Sequence, residues 1–122
     1  MELAHSDITW EIIGAAFEVD RELGYGFLEK VYQRAMQVEL HRGGVRAEIE
    51  HKIKVHYKGS IVGEYSADVL VADAVIVELK IAKTYCSQDE AQLLNELKAT
   101  GIKVGLLINF GRTKVEFKRM VF

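Results

Sequence analysis

The chain has 122 residues, of which 49% are hydrophobic, and this predicts one globular domain over residues 1–122 with an apolar core. A net charge of −2 excludes a strongly basic nucleic-acid-binding protein, so contact with nucleic acid needs a local basic patch or a metal ion. The single cysteine, Cys86, excludes an intramolecular disulfide. Together with the lack of a signal peptide or membrane-spanning apolar run, it favours a cytoplasmic protein without a membrane partner.

Two helical segments are predicted at the start of the chain. Ser6 or Asp7 is the expected N-cap of the first segment, which a Gly-Tyr-Gly sequence at 24–26 interrupts. The second segment is expected to end at the glycines at 43–44. Its apolar residues recur at helical spacing and predict a buried face made of Leu28, Val31, Ala35 and Val38.

Three strands separated by tight turns are predicted next. Residues 45–57 alternate apolar and polar side chains, which predicts a half-buried strand with its apolar residues on one face. Turns at 58–60 and 72–74 lead into a second strand, 61–71, and a third, 74–81. The third strand is apolar apart from Glu78 and Lys80, so it is expected to be covered on both faces.

A helix between two strands completes the predicted pattern. Residues 87–90 fit a capping box with Ser87 as the N-cap and Glu90 at the third helical position, and Gly101 is placed to end that helix. Residues 103–110 predict a buried strand parallel to the third, because a strand–helix–strand crossover joins parallel strands. Residues 115–121 predict a short last strand.

The turn before the third strand places two carboxylates opposite one another. If Val71 pairs with Val75, Asp68 lies opposite Glu78, with Cβ atoms about 4.5–5.5 Å apart. Like charges so placed are destabilising, and a hard divalent cation such as Mg²⁺ would relieve the repulsion. Lys80 shares the face of Glu78, because strand side chains alternate. The residues therefore predict a metal site.

The order of helix, three antiparallel strands, helix and strand, with an Asp and a Glu-x-Lys on neighbouring strands, resembles the PD-(D/E)XK nuclease superfamily. Residues 26–32 are similar to the G-x-x-E-x-x-Y signature of the GxxExxY family, a small branch of that superfamily. Further matches in the same order are at 57–59, 67–68, 75–80, 90–94 and 105–110. The resemblance implies an α/β fold with a mixed sheet: a restriction-endonuclease-like αβββαβ core with an extra C-terminal strand.

The resemblance also implies a metal-dependent nuclease that hydrolyses phosphodiester bonds of DNA or, less commonly, RNA. The implied cofactor is Mg²⁺ or Mn²⁺, bound by Asp68, Glu78 and the backbone carbonyl of Leu79. Glu29, from the helical region at the start of the chain, would complete the metal site. Lys80 would orient the attacking water or stabilise charge developing on the phosphate.

Substrate contacts are implied for Gln92 and Tyr32, although Tyr32 fits equally well as a core residue with a satisfied hydroxyl. The alternative to a substrate contact for Gln92 is an ordinary position on the helix surface. Three positions depart from the family pattern: Tyr25 replaces a proline, Ser66 an arginine and Glu96 a tyrosine. These departures leave the implied metal ligands in place and affect the residues around Gln92.

Two function classes stay open at this point. The first is the metal-dependent nuclease, favoured by the intact Asp68, Glu78 and Lys80. The second is a non-catalytic module with the nuclease fold that binds nucleic acid or a protein partner, favoured by the mildly acidic charge. Glu78 and Lys80 could also be a solvated pair on a strand surface. A homodimer is expected, because so small a domain offers little surface for a duplex.

Overall fold

The computed structural model describes residues 5–84 and 86–122. Its helices are α1 (Ser6–Leu23), α2 (Glu29–Arg42) and α3 (Ser87–Thr100), and its strands are β1 (Ala47–Tyr57), β2 (Ser60–Val71), β3 (Val75–Lys80), β4 (Val104–Phe110) and β5 (Val115–Val121). Within these residues, no helix is both long and apolar enough to cross a bilayer. The element order is the one predicted from the sequence, including the extra strand at the end.

The five strands form one mixed sheet in the order β1-β2-β3-β4-β5. β3 pairs with β4 in parallel, through the α3 crossover, and the other neighbours are antiparallel. Val71 pairs with Val75 as predicted. Ala72 and Asp73 make the intervening turn with φ angles of 53° and 54°, in the left-handed region. The central strand β3 is buried along its length except at Lys80.

Helices cover both faces of the sheet and define two cores. α1 and α2 pack on one face, and α3 packs on the other. The α1–α2 core includes Val69, Val75, Val77, Leu79, Leu106 and Ile108 from the sheet. The smaller α3 core includes Ile53, Ala67, Leu70, Ile76, Leu93, Leu97 and Leu107. Alternate residues of β3 and β4 therefore enter different cores, as strand geometry requires.

The strand β1 does not keep its apolar residues on one face as predicted. Ala47 belongs to the α1–α2 core and Ile49 packs against it, whereas Ile53 packs in the α3 core. Strict alternation would put all three side chains on the same face. Glu50, between them, has a φ angle of 52°, and this left-handed residue breaks the alternation.

The strand β2 changes face at the matching position. Ala67 belongs to the α3 core and Val69 to the α1–α2 core, although they are two residues apart. Asp68 lies between them. The hydrogen-bonded pairing of β1 with β2 continues on either side of this point, through Ile49–Val69 and His51–Ala67. Asp68, a candidate site residue, therefore lies where the side chains of β1 and β2 switch from one face of the sheet to the other.

The predicted buried face of α2 is wrong except at Ala35, which packs against the α1–α2 core. Leu28, Val31 and Val38 are 76%, 36% and 58% exposed. The side chains of α2 that enter the α1–α2 core are Tyr32, Met36 and Leu40. Both sets have helical spacing, and packing against the sheet buries the stripe with the larger ring and the longer chains because more apolar area leaves water.

Both predicted N-caps are wrong, whereas the predicted C-terminal glycines, Gly43 and Gly101, are confirmed. α1 begins at Ser6 and has His5 as its N-cap, with no side-chain hydrogen bond there. α3 has Cys86 as its N-cap, and Asp89 rather than Glu90 completes the capping box. The Cys86 N–H donates to Asp89 Oδ2 over 2.9 Å. Asp89 is thereby held at the start of α3.

Candidate functional site

Asp68 and Glu78 meet across the β2–β3 pair through two hydrogen bonds between backbone and carboxylate. The Asp68 N–H donates to Glu78 Oε2 over 3.3 Å, and the Leu79 N–H donates to Asp68 Oδ2 over 2.7 Å. The regular pairing of β2 with β3 extends only to Val69 and Val77. At the next position the two carboxylates take the place of backbone partners, so the two predicted ligands are adjacent.

Glu78 is buried beneath α3, where it contacts a second carboxyl. Glu78 is 5% exposed and Glu96 is fully buried. Burial raises the pKa of Glu78 to about 11, and a hydrogen bond to the Glu96 carboxyl and the nearby Asp68 add to this rise. A bond between two carboxyls requires a proton on one of them. Without that proton, the Oε1 atoms of Glu78 and Glu96 are buried with no hydrogen-bond partner within the part of the chain that the structure describes.

Glu29 is the first residue of α2 and shares a pocket of about 160 Å³ with Asp68. The rest of the lining consists of Lys30, Gln33, Glu50 and Ser66. Burial and the Asp68 charge raise the pKa of Glu29 against the opposing effect of Lys80. The start of α2 thus places the Glu29 carboxylate beside Asp68, one of the two sheet carboxylates.

Lys80 is the last residue of β3 and lies among these carboxylates. Its Nζ is 3.6 Å from Asp89 Oδ1. Burial acts to lower the pKa of Lys80, but Asp89, Glu29, Glu78 and Asp68 together outweigh it and the pKa is raised. Lys80 is therefore a fixed positive charge beside a group of acids, suited to hold an anion or to orient a water molecule.

Asn109 is a site-supporting residue that the sequence analysis did not identify. It is fully buried and lies beside Lys80 in the parallel β3–β4 register. Its Oδ1 accepts the Ala82 N–H over 2.9 Å, and its Nδ2 donates to the Ala82 carbonyl over 2.8 Å. The side chain thus holds the backbone just after Lys80. A signal was available, because Asn109 is the one polar side chain in the otherwise apolar β4.

Glu96 and Asp89 were also missed as parts of the site. From the sequence, Glu96 is only a departure from a family pattern, and Asp89 has no visible connection with Lys80. Gln92 Nε2 donates to Glu96 Oε2 over 3.2 Å, so one turn of α3 carries both groups. The helical spacing of Gln92 and Glu96 was a usable signal, whereas the contact of Asp89 with Lys80 depends on tertiary packing.

The two residues with implied substrate contacts occupy different environments. Tyr32 is fully buried and stacks on Phe110 with ring centroids 4.5 Å apart. Its hydroxyl donates to the Gly24 carbonyl over 2.5 Å, which is the core role that the sequence left open. Gln92 is exposed on α3, and its amide is engaged with Glu96. Tyr32 thus fastens the loop between α1 and α2, and Gln92 remains accessible.

The acidic residues place several carboxylate oxygens near one another, but the described residues do not form a complete set of metal ligands. In residues 5–84 and 86–122, no three Asp, Glu, His or Cys side chains are arranged to hold a metal ion. Asp68 and Glu29 share the pocket, whereas Glu78 contacts Glu96. A buried carboxyl with an unpartnered oxygen is nonetheless a fitting ligand for a divalent cation, because such a group is costly without a partner. The carboxylates present are thus of the chemical type that a divalent cation binds.

Comparison with known proteins agrees with this architecture. The sequence profile of the PD-(D/E)XK nuclease superfamily matches residues 6–120, and the chain therefore belongs to this superfamily. The crystal structure of SSO0001 has a similar fold, with a TM-score of 0.62 and 15% sequence identity over 96% of this chain and 59% of that one. This chain thus spans about three fifths of the length of SSO0001. No curated protein sequence matches the chain significantly.

Proposed function

We propose that this domain is a metal-dependent nuclease of the GxxExxY branch, which hydrolyses phosphodiester bonds of DNA or, less commonly, RNA. The observation that carries the proposal is the buried Glu78 carboxyl, which is adjacent to Asp68 and which, when ionised, has an Oε1 atom without a hydrogen-bond partner among the described residues. A protein gains no stability from such a group, whereas a cation-binding enzyme needs it. Membership of the nuclease superfamily supports the same function.

The proposed ligands of Mg²⁺ or Mn²⁺ are Asp68, Glu78 and the backbone carbonyl of Leu79, with Glu29 added from α2. A divalent cation bound there supplies charge that polarises a phosphoryl oxygen and lowers the pKa of a bound water. Glu78 has to be ionised to bind the cation, so its raised pKa makes metal affinity increase with pH. Its contact with Glu96 has to loosen in the same step.

Lys80 is the proposed catalytic residue that does not bind the metal. Its ammonium would orient the attacking water or stabilise charge on the phosphate, and Asp89 would hold it in place until substrate binds. Gln92 is the proposed substrate contact on α3, because it is exposed beside the acidic residues. Tyr32 would act on substrate only through the loop that its hydroxyl fastens.

The non-catalytic binding module is the second candidate. It is favoured by one observation: within the described residues, the carboxylates do not form a metal-binding group of three. A homodimer with a cytoplasmic location remains part of the proposal, on the grounds of the small size of the domain and its single cysteine.

Titration calorimetry with Mn²⁺ and a cleavage assay on single-stranded and duplex DNA test the proposed function. Asp68→Ala and Glu78→Ala should each lose about a hundredfold or more in Mn²⁺ affinity and in cleavage rate. Glu29→Ala should weaken Mn²⁺ binding less. Lys80→Ala should bind Mn²⁺ as the wild type does and lose turnover, because lysine would act on water or phosphate.

Glu64→Ala is the matched control, since Glu64 is an exposed carboxylate on β2 that pairs with Lys54 on the neighbouring strand. It should leave both measurements unchanged. Unaltered Mn²⁺ affinity in Asp68→Ala and Glu78→Ala would disprove the metal site, and the binding module would then be the better assignment.

A further inference from the structure

A cationic cleft lies at the end of the sheet where β3 and β4 terminate. Its volume is about 620 Å³, within the range of sites that hold small molecules. We call it the cationic cleft; its lining residues are Tyr25, Lys83, Gly111, Arg112, Thr113, Lys114 and Glu116. It combines three cationic side chains with one carboxylate. The local charge is therefore positive on a chain whose net charge is −2.

The cationic residues are presented by fixed backbone. The Gly111 N–H donates to the Lys114 carbonyl over 3.1 Å, which closes the turn that carries Arg112. This turn is tight, because a Cβ on Gly111 would come within 2.9 Å of the Lys114 carbonyl oxygen. Among the described residues, none of the ion pairs involves Lys83, Arg112 or Lys114. Their charges are thus available to an anion.

Tyr25 supplies an aromatic surface at the same cleft. Tyr25 is 52% exposed, whereas tyrosine residues in folded proteins are usually more buried than this. The loop that carries it is fastened on both sides, because the Tyr32 hydroxyl donates to the Gly24 carbonyl and accepts the Phe27 N–H. A ring held on a fixed loop beside cationic side chains can stack on a base without ordering a flexible segment first.

The cationic cleft is linked through Asn109 to the chain segment that follows Lys80. Lys83 follows Lys80 by three residues, and Asn109 hydrogen bonds to Ala82 between them. The same Asn109 Nδ2 lies 3.4 Å from Glu116 Oε1, which lines the cleft. The cleft residue Lys83 therefore lies in the chain segment that Asn109 holds directly after Lys80.

We propose that the cationic cleft binds a single-stranded nucleic acid segment next to the phosphodiester that is cleaved. Lys83, Arg112 and Lys114 would contact its phosphates, and an unpaired base would stack on Tyr25. A single strand is favoured over a duplex, because only an unpaired base offers its face to the ring. The inference deepens the proposed nuclease function and rests on it for the position of the cleaved bond.

Binding is measured by fluorescence anisotropy on short labelled single-stranded DNA, single-stranded RNA and duplex DNA, over a series of salt concentrations. No divalent cation is added, so the result does not depend on the metal site. The triple variant Lys83→Gln/Arg112→Gln/Lys114→Gln should bind single strands at least tenfold more weakly. Its slope of log affinity against log salt should be smaller by about two, because three phosphate contacts are lost.

The matched control is Lys52→Gln/Lys54→Gln/Lys58→Gln, which removes the same charge from the exposed surface of the β1–β2 hairpin. It should reduce affinity far less. Equal loss in both triple variants would overturn the proposal, because binding would then follow overall charge. Wild-type affinity in the cleft variant would overturn it as well, and stronger binding of duplex than of single strands would do the same.

Tyr25 is tested separately from the charges. Tyr25→Leu should weaken single-strand binding about tenfold and leave the salt slope unchanged, because stacking releases no counterions. Tyr25→Phe should bind as the wild type does. If Tyr25→Leu binds single strands with wild-type affinity, the proposed stacking contact is disproved. If Mn²⁺-dependent cleavage is intact and no cleft variant alters binding, the cleft proposal is refuted and the nuclease proposal stands. If the cleft variants weaken binding but the wild type does not cleave, only the nuclease proposal is refuted.

Discussion

The two faces of the sheet differ in the hydrogen bonding of their buried polar groups. On the α1–α2 face, the Thr9 hydroxyl donates to the Ser6 carbonyl over 2.9 Å, and Gln33 donates to the Asp68 carbonyl over 2.8 Å. On the α3 face, Glu78 and Glu96 each keep one buried oxygen without a partner in the described residues. Thr9 and Gln33 on the first face thus have hydrogen-bond partners, whereas one carboxylate oxygen each of Glu78 and Glu96 on the second face has none among the described residues.

This contrast separates the part of the fold that supplies most of the apolar core from the part that contains the candidate site. Large apolar side chains fill the α1–α2 face, and their burial is favourable in proportion to the area removed from water. The α3 face has a smaller core and contains acids whose burial is unfavourable. Unsatisfied acids are tolerated only where the rest of the domain is stable enough, and they are useful where a cation binds.

The largest expected effect on stability comes from the α1–α2 core. Leu106 and Leu107 are neighbours on β4, both fully buried, and they point to opposite faces. Leu106→Ala should lower the free energy of unfolding by about 2–5 kcal/mol, measured by denaturant titration. Leu107→Ala should cost less, because the single helix α3 can settle into the space. A greater cost for Leu107→Ala would contradict the division between the faces.

The second prediction concerns Glu78, whose pKa is about 11 in the folded protein against an ordinary value of 4.5. Between these two values the folded state holds a proton that the unfolded state has released. Stability therefore falls as pH rises above about 4.5, by at most about 1.4 kcal/mol per pH unit. Glu78→Gln removes this loss, so the metal-free variant should be more stable than the wild type at neutral pH.

The advantage of Glu78→Gln should widen as the pH is raised from about 5 to about 8, which urea titrations at several pH values would measure. Added Mn²⁺ should stabilise the wild type and leave Glu78→Gln unchanged, since a neutral amide is a poor ligand for the cation. The exposed Glu64→Gln is the control and should show neither effect. A constant difference between Glu78→Gln and the wild type across this pH range would mean that the pKa of Glu78 is not raised in the folded protein.

The smallest expected effect on stability comes from Asn109, a satisfied polar group on the α3 face. Asn109→Ala removes both hydrogen bonds to Ala82 and should lower the free energy of unfolding by about 1–3 kcal/mol. Because these bonds hold the chain after Lys80, turnover should fall while Mn²⁺ affinity stays the same. Thr9→Ala, on the other face, should affect stability only. Equal turnover in both variants would show that Asn109 is purely structural.

Local features of the fold were predictable because their causes are close in sequence. The turn at 72–74 and the alternation of strand residues were sufficient to predict that Asp68 meets Glu78. The buried face of α2 was not predictable in this way, since two stripes have the same helical spacing and only the sheet selects between them. The single apolar face predicted for β1 failed because one left-handed residue, Glu50, reverses the alternation.

The sequence by itself determined the order of helices and strands, the register of the β2–β3 hairpin and the residue types of the acidic site. Periodicity and turn chemistry act over a few residues, so they are visible in the chain. Only the tertiary structure decided that Glu96 buries itself against Glu78, that Asp89 pairs with Lys80, and that Tyr25 joins the cationic cleft. Those contacts link separate elements, and the packing of helices on both faces of the sheet creates them.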